Sequence, residues 1–292
     1  MRRMREFTSS PKNLVGMAVS TMHARLLENV ELVEQLVTLG WHVVVVNQHT
    51  TPEGKLDPVA EGMNHSHVQV VNSERLGLSH SRNQAMEELQ KQSVRWAVLC
   101  DDDVTLDLDA CKALAAWLGG DAPTSSWHDV GAVTTRLMKS RSTPWRTYQD
   151  TQAHILGTST ASLRRIQFVN SMELVVHVHA LAEWNVGFNP QFGLGAPPVN
   201  GGEEVLLMHD ILQAGGAVVP TPFAVRLHPD ESSGQVLNAQ AAFTQGAVHR
   251  KVFGHPVWWG LVAVFVWKRL KSGNASRISD YLRGGAWASR HD

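Results

Sequence analysis

Apolar residues along this chain come in short unbroken runs set between segments of helical period. Leu14 to Ser20, Trp41 to Val46, Val68 to Val71 and Ala97 to Cys100 have strand length and few polar interruptions. Between them, Glu28 to Leu39 places Val30, Val33, Leu36 and Val37 at helical spacing and closes on Gly40, and Ser79 to Gln92 is a second amphipathic helix. Strands apolar on both faces, alternating with helices, predict an α/β fold with a mainly parallel sheet covered on each side.

After Leu118 the pattern loosens. Gly119 to Ser126 reads as a loop, Val130 to Thr135 as a strand, and Lys139 to Ser162 as a long polar segment with little period, of the kind that is often mobile and functional. Glu173 to Val178 is strand-like, and Gly187 to Gly202 is a Gly/Pro-rich loop. A helix follows from Glu203 to Ala214, then a strand pair at Val218-Val219 and Ala224 to Leu227. No internal repeat is present. The expected organisation is one domain over residues 1–234 and a helical C-terminal extension over 235–292.

Composition narrows the function. At 292 residues with 43% hydrophobic content the chain can bury a full core, and a net charge of −1 leaves no basic field for nucleic acid. Cys100 and Cys111 lack metal or redox spacing and read as core thiols of a reduced protein. The basic start, Met1 to Phe7, is not followed by the apolar run of a signal peptide, so a cytoplasmic location is expected.

The candidate chemistry sits where the fourth apolar run ends in Asp101-Asp102-Asp103. Like charges packed at a strand end repel unless a cation or hydrogen-bond donors compensate them. In open α/β sheets ligands bind just beyond the carboxyl ends of strands, so Asp101 and Asp103 stand where a metal-bound phosphate ligand would lie. The plainer reading is a solvated turn with Asp caps before the helix that begins near Leu106. Glu203 and Glu204 follow the glycine loop at a helix mouth, where dipole compensation explains one acid and a general base toward a hydroxyl would explain the other. His228, at a strand end, can complete a divalent site begun by Asp103.

Together these segments resemble the large inverting family 2 of glycosyltransferases with the GT-A fold. The likeness spans about Leu14 to Gly234 and rests on Gly77-Leu-Ser-His-Ser-Arg82-Asn83, Leu99-Cys-Asp101-Asp-Asp103-Val104, Phe188-Asn-Pro-Gln-Phe192-Gly-Leu-Gly195, Gly202-Glu203-Glu204 and the strand ending at His228, in that order. The resemblance implies a single GT-A-type domain with a mixed, mainly parallel sheet flanked by helices. It implies transfer of a sugar from a nucleoside-diphosphate sugar, a UDP-sugar as first expectation, to a saccharide or glycolipid hydroxyl with inversion, in polysaccharide or glycolipid synthesis. By the same resemblance Asp101 and Asp102 contact the nucleotide, and Asp103 with Asp101 and His228 binds Mg²⁺ or Mn²⁺. Glu204 is the base, with Glu203 its neighbouring candidate, and Arg82 and Asn83 shape the nucleotide pocket. Two positions depart from the family: Ser20-Thr21-Met22 replaces a Pro-x-Tyr-Asn, so Thr21 takes that place at the nucleotide. Asn47 stands where an acidic cluster usually holds the base, which leaves the nucleobase open.

Three other readings compete. Asp101 to Leu106 also fits the Asp-x-Asp-x-Thr-Leu signature of haloacid-dehalogenase-type phosphatases, although those place it on their first strand. A metal-dependent nucleotidyltransferase shares the sheet and metal logic, and a non-catalytic nucleotide-sugar-binding protein shares the fold. Near the C-terminus, Pro256 to Trp267 is uncharged and precedes Lys268, Arg269 and Lys271. It is too short to span a bilayer. Two readings stand: a helix packed on the domain, or an interfacial helix over residues 256–271 that turns Trp258, Trp259 and Trp267 to the headgroups on the cytoplasmic face of a membrane.

Overall fold

The computed structural model describes residues 14–58, 62–121, 126–148, 154–228, 237–272 and 275–291. The first half alternates as its pattern demands: β1 (Val15–Met22), α1 (Val30–Leu39), β2 (His42–Gln48), β3 (Val68–Ser73), α2 (Leu78–Lys91), β4 (Trp96–Asp101), β5 (Thr105–Leu106) and α3 (Leu108–Leu118). Then come β6 (Val130–Thr134), β7 (Leu137–Ser140), β8 (Thr143–Pro144), β9 (Ile155–Leu156), α4 (Thr160–Ile166), β10 (Leu174–His177) and α5 (Val178–Glu183). The chain ends with α6 (Glu203–Gln213), β11 (Ala217–Pro220), β12 (Arg226–Leu227), α7 (Ala239–Lys271) and α8 (Ile278–Ala288).

Eight strands form one sheet in the order β3-β2-β1-β4-β10-β6-β11-β9. The β3, β2, β1 and β4 ladders are parallel, β10 runs antiparallel to both its neighbours, and β6 and β11 are parallel again. Side chains alternate across the pleat, so Ala97 and Leu99 enter a core under α2, α6 and α7 while Val98 and Cys100 enter a second core under α1 and α3. The expected mixed, mainly parallel α/β sheet with a helical C-terminal part is therefore the fold observed. Cys100 and Cys111 are free and buried.

Three expectations change. Val218-Val219 and Ala224 to Leu227 do not pair: β11 belongs to the large sheet, whereas β12 lies in a small sheet of order β5-β12-β7-β8. The reason is β7, whose ladder to β12 takes Arg226 and Leu227 against Leu137 and Met138. The polar segment from Lys139 is not shapeless; it supplies β8, β9 and the start of α4, with residues 149–153 outside the described set. The helix expected over 256–271 is the second half of α7, which begins at Ala239 and breaks at Gly254 (φ 68°). Gly254 alone tolerates that backbone, and Pro256 then sits in a first turn where its missing N–H is not needed. The start of the chain, the 119–126 loop at residues 122–125 and the 234/235 boundary fall outside the described residues.

Helices α7 and α8 meet through glycines. A Cβ built at Gly284 would overlap the Phe243 carbonyl oxygen, one at Gly246 the Tyr281 carbonyl oxygen, and one at Gly285 the Trp258 indole. Trp258 is thus buried between the helices, unlike Trp259 and Trp267, which are exposed. Glycine normally weakens a helix interior, so its presence here reflects close backbone approach. Gly284→Ala is expected to lower unfolding free energy by about 1–3 kcal/mol in urea titration. Gly260→Ala, with open space around it, should raise it by up to about 1 kcal/mol.

Candidate active site

Strands β1 and β4 end side by side, with Ser20 opposite Asp101. Strands β2 and β3 lie on the far side of β1, so the connectivity reverses direction here and opens a crevice at the carboxyl ends. The Asp triplet occupies that crevice, and each carboxylate has its own partner. Asp101 accepts from Arg82 Nη2 at 3.2 Å. Asp102 accepts from Thr21 Oγ1 at 2.7 Å and faces Arg25 at 3.8 Å. Asp103 Oδ2 stands 3.5 Å from His228 Nε2. Asn29 fixes the turn itself, donating to the carbonyls of Asp102 (3.3 Å) and Val104 (2.8 Å). Burial raises the Asp102 pKa against the pull of Thr21 and Arg25, whereas the His228 hydrogen bond holds Asp103 below the usual carboxylate range.

Arg82 connects this turn to the acidic pair. It lies on the first turns of α2, fully buried, and donates through Nη1 to Glu203 Oε1 at 2.8 Å while holding Asp101 with Nη2. Its guanidinium also lies 5.5 Å from the centre of the Phe188 ring. Desolvation acts to lower its pKa, but the carboxylates of Asp101, Glu203 and Glu204 outweigh it and raise the value. Glu203 is buried, its Oε2 has no hydrogen-bond partner among the described residues, and it faces Gly193, whose φ of 107° and closeness to Ser79 and Glu203 disfavour any side chain. Glu204, next on the same helix turn, is partly exposed. Burial first, and then the neighbouring Glu203 charge, push its carboxyl up to about 8.

The remaining nucleotide candidates are braced against the protein. Asn47 is fully buried; it accepts from Ala24 N and donates to Gly54 O and Asn72 Oδ1, each at 2.8 Å. Asn83 accepts from Phe188 N at 2.9 Å and donates to Phe188 O at 2.8 Å. Both amides thus fasten crevice walls, Asn47 the turns after β1 and β2, Asn83 the start of the glycine loop. Ser79 adds a 2.6 Å bond to the Phe192 carbonyl.

Two further residues matter that sequence reasoning passed over. Arg226 is completely buried and donates to the carbonyls of Leu99 and Leu174 and, at 2.8 Å, to Thr135 Oγ1. The β4–β10 ladder stops at Val98 and Val175, so Arg226 takes the two carbonyls that would otherwise be orphaned as the strands part. Desolvation lowers its pKa to about 10. An arginine inside the apolar Val225-Arg226-Leu227 was the available signal. Trp145 packs edge-on against His228 at 5.4 Å and carries Lys139 over its ring at 5.1 Å. Its hairpin is held by the buried Glu173, which accepts from Arg146 Nε (3.1 Å) and Nη2 (2.8 Å) and from the Tyr148 hydroxyl.

Asp103 and His228 form an oxygen and nitrogen pair of the sort that first-row divalent ions accept. Among the described residues no group of three His, Cys, Asp or Glu side chains converges on one point. Asp103 and His228 are the donors that would hold a Mg²⁺ or Mn²⁺ here, and Arg82 fixes Asp101 on the same turn.

No family model and no curated protein sequence matches the chain. Solved structures do. TarS 1–349 from S. aureus superposes with a TM-score of 0.57 over 96% of this chain and 92% of that one, at 12% identity. The chain covers 40% of the longer TarS crystal structure. The mannosyltransferase PcManGT from Pyrobaculum calidifontis, in complex with GDP-Man and Mn²⁺, gives 0.56 over 100% and 92% at 15% identity. Glucosyl-3-phosphoglycerate synthase from Mycobacterium tuberculosis, with Mn²⁺, UDP and phosphoglyceric acid, gives 0.50 over 84% and 80% at 15%. At such identities the likeness establishes a shared fold, that of GT-A glycosyltransferases.

Arg82→Met would leave Glu203 buried and unpaired, and a loss of about 3–5 kcal/mol is expected in urea unfolding. Adding Glu203→Gln should recover part of it, so that a double-mutant cycle gives a coupling well above measurement error.

Proposed function

We propose that the chain is a glycosyltransferase that moves a sugar from a nucleoside-diphosphate sugar to an acceptor hydroxyl, inverting the anomeric carbon. The single observation that carries this reading is the Arg82 bridge, which ties the Asp-rich turn to the acidic helix mouth across one crevice. Displacement at an anomeric carbon needs a base for the incoming hydroxyl and stabilisation of the departing diphosphate, supplied from different sides.

Glu204 is the base. Its raised pKa makes it a better proton acceptor than an ordinary carboxylate while leaving a usable fraction ionised near neutral pH. Glu203, paired with Arg82, holds the helix mouth, and its charge adds to burial in raising Glu204. Asp103 and His228 hold Mg²⁺ or Mn²⁺, which when bound neutralises charge building on the diphosphate. Asp101 and Asp102, with Thr21, line the nucleotide side, and Arg82 fixes Asp101. Asn47 and Asn83 act through the walls they brace. The TarS and PcManGT structures hold UDP-GlcNAc and GDP-Man respectively, which supports a sugar nucleotide donor and sets uridine and guanosine as the bases to compare. A saccharide or glycolipid acceptor, in surface polysaccharide or glycolipid synthesis, fits the same reading.

Because Asp103 and His228 are the two side chains that pair at this point among the described residues, metal and nucleotide should bind together. Calorimetry is expected to show weak Mn²⁺ binding alone and tight binding with UDP or GDP; Asp103→Ala and His228→Ala should each abolish the metal enhancement. Metal-independent nucleotide affinity would overturn the assignment. Glu204→Gln should keep nucleotide binding and lower turnover by about 10²–10⁴-fold. The wild-type kcat/KM should rise with pH as Glu204 loses its proton, with its midpoint near pH 8. If Glu203→Gln abolishes turnover while Glu204→Gln spares it, the base is the other acid. Product anomeric configuration by NMR tests inversion, and release of pyrophosphate instead of nucleoside diphosphate would indicate nucleotidyl transfer.

A further inference from the structure

The second half of α7 has two apolar sides. One packs on α8: Trp258 is 5% exposed, Val262 is buried beside it, and Phe265 stacks on Tyr281 with ring centres 4.2 Å apart. The other side touches that core where the Trp259 ring meets Trp258 edge-on, with centres 4.8 Å apart. Trp259 is 51% exposed, Trp267 and Leu270 are 60% each, and Val257 and Val264 stand out beside them. Trp259, Ala263, Trp267 and Leu270 recur at helical spacing, with Val257, Gly260 and Val264 on the adjoining row, so these residues make one continuous strip. Two large tryptophans on such a strip mark an interaction surface.

Charge identifies the partner. Lys268 and Lys271 border the strip at its carboxyl end, with Lys271 Nζ 5.1 Å from the Trp267 ring centre. Residues 232–279 contain no Asp or Glu, yet carry Arg250, Lys251, Lys268, Arg269, Lys271 and Arg277. Arg277 is paired with Asp280, but Lys268 and Lys271 stand at the strip itself, and pairing this face with a second copy would bring together two strips that carry the same positive charge, which like-charge repulsion opposes. No helix among the described residues is long and apolar enough to cross a membrane. We propose that this face of α7 docks on an anionic lipid bilayer, the half-helix lying in the headgroup plane with Trp259, Trp267 and Leu270 inserted and the lysines on lipid phosphates.

The surface is independent of the catalytic residues. The first half of the same helix backs the glycine loop, since a Cβ at Gly202 would overlap Val248. A bilayer bound to α7 would therefore lie on the element that supports the loop leading into α6 and Glu204.

The test is flotation of the full chain with vesicles of pure phosphatidylcholine and of phosphatidylcholine mixed with phosphatidylglycerol. The expected result is attachment to the mixed vesicles only, reversed by salt, with a blue shift of tryptophan emission. Lys268→Gln/Lys271→Gln should weaken partitioning roughly thirty-fold. Trp259→Ser/Trp267→Ser should weaken it more than about ten-fold, and Trp267→Ser alone, the more exposed of the two, should weaken it without lowering Tm. Val30→Ser, on an exposed position of α1, should change nothing. Three results would overturn the proposal: no attachment by folded wild type, equal attachment of the tryptophan variant, or a wild-type dimer in sedimentation that the tryptophan variant dissolves.

Discussion

A buried guanidinium must keep its carboxylates. Arg82 sits where water does not reach, and its charge is tolerable only while Asp101 and Glu203 remain within bonding distance. That requirement locks three elements to one another: α2, which carries the arginine, the end of β4 and the mouth of α6. Gly77, Gly193 and Gly202 adopt left-handed backbone around it so that the loops can close over the ion pair. The positions of both acidic sites follow from this one constraint; the carboxyl of Glu204 is then raised by burial first and by the neighbouring Glu203 charge second, with Arg82 pulling the other way.

The crevice itself depends on how the sheet is allowed to open. Ladder bonds between β4 and β10 end at Val98, and Arg226 replaces them just before Asp101. Without those donors the parting strands would leave Leu99 and Leu174 carbonyls buried and unsatisfied. Because Arg226 belongs to β12, the same bond pulls His228 toward Asp103. The hairpin carrying Trp145 completes the arrangement, anchored from below through Arg146, Tyr148 and Glu173. Three networks, around Arg82, Arg226 and Arg146, thus hold the floor of the crevice.

Away from the crevice, glycine decides the packing. Gly246, Gly284 and Gly285 let α7 and α8 approach until side chains reach backbone, and that approach buries Trp258 while leaving Trp259 outside. Gly254 then sets the direction of the exposed half of α7.

Much of this was determined by the order of residues. Apolar runs of strand length between helical periods impose a covered, mainly parallel sheet, since no other arrangement buries both faces of such strands. An Asp triplet ending one of those runs lies at the sheet's carboxyl edge by chain geometry alone, and Gly202-Glu203-Glu204 marks a helix mouth for the same reason. What remained hidden were pairings between residues far apart in sequence. Arg82 meeting Glu203, Arg226 meeting Leu99, Trp145 meeting His228 and the separation of β11 from β12 leave no local period, because each depends on which loop the folded sheet brings across. The outward and inward tryptophans of α7 are adjacent residues of one type, and only the position of α8 distinguishes them. Periodicity records which way a side chain faces along its own element; the partner it meets is chosen by tertiary packing.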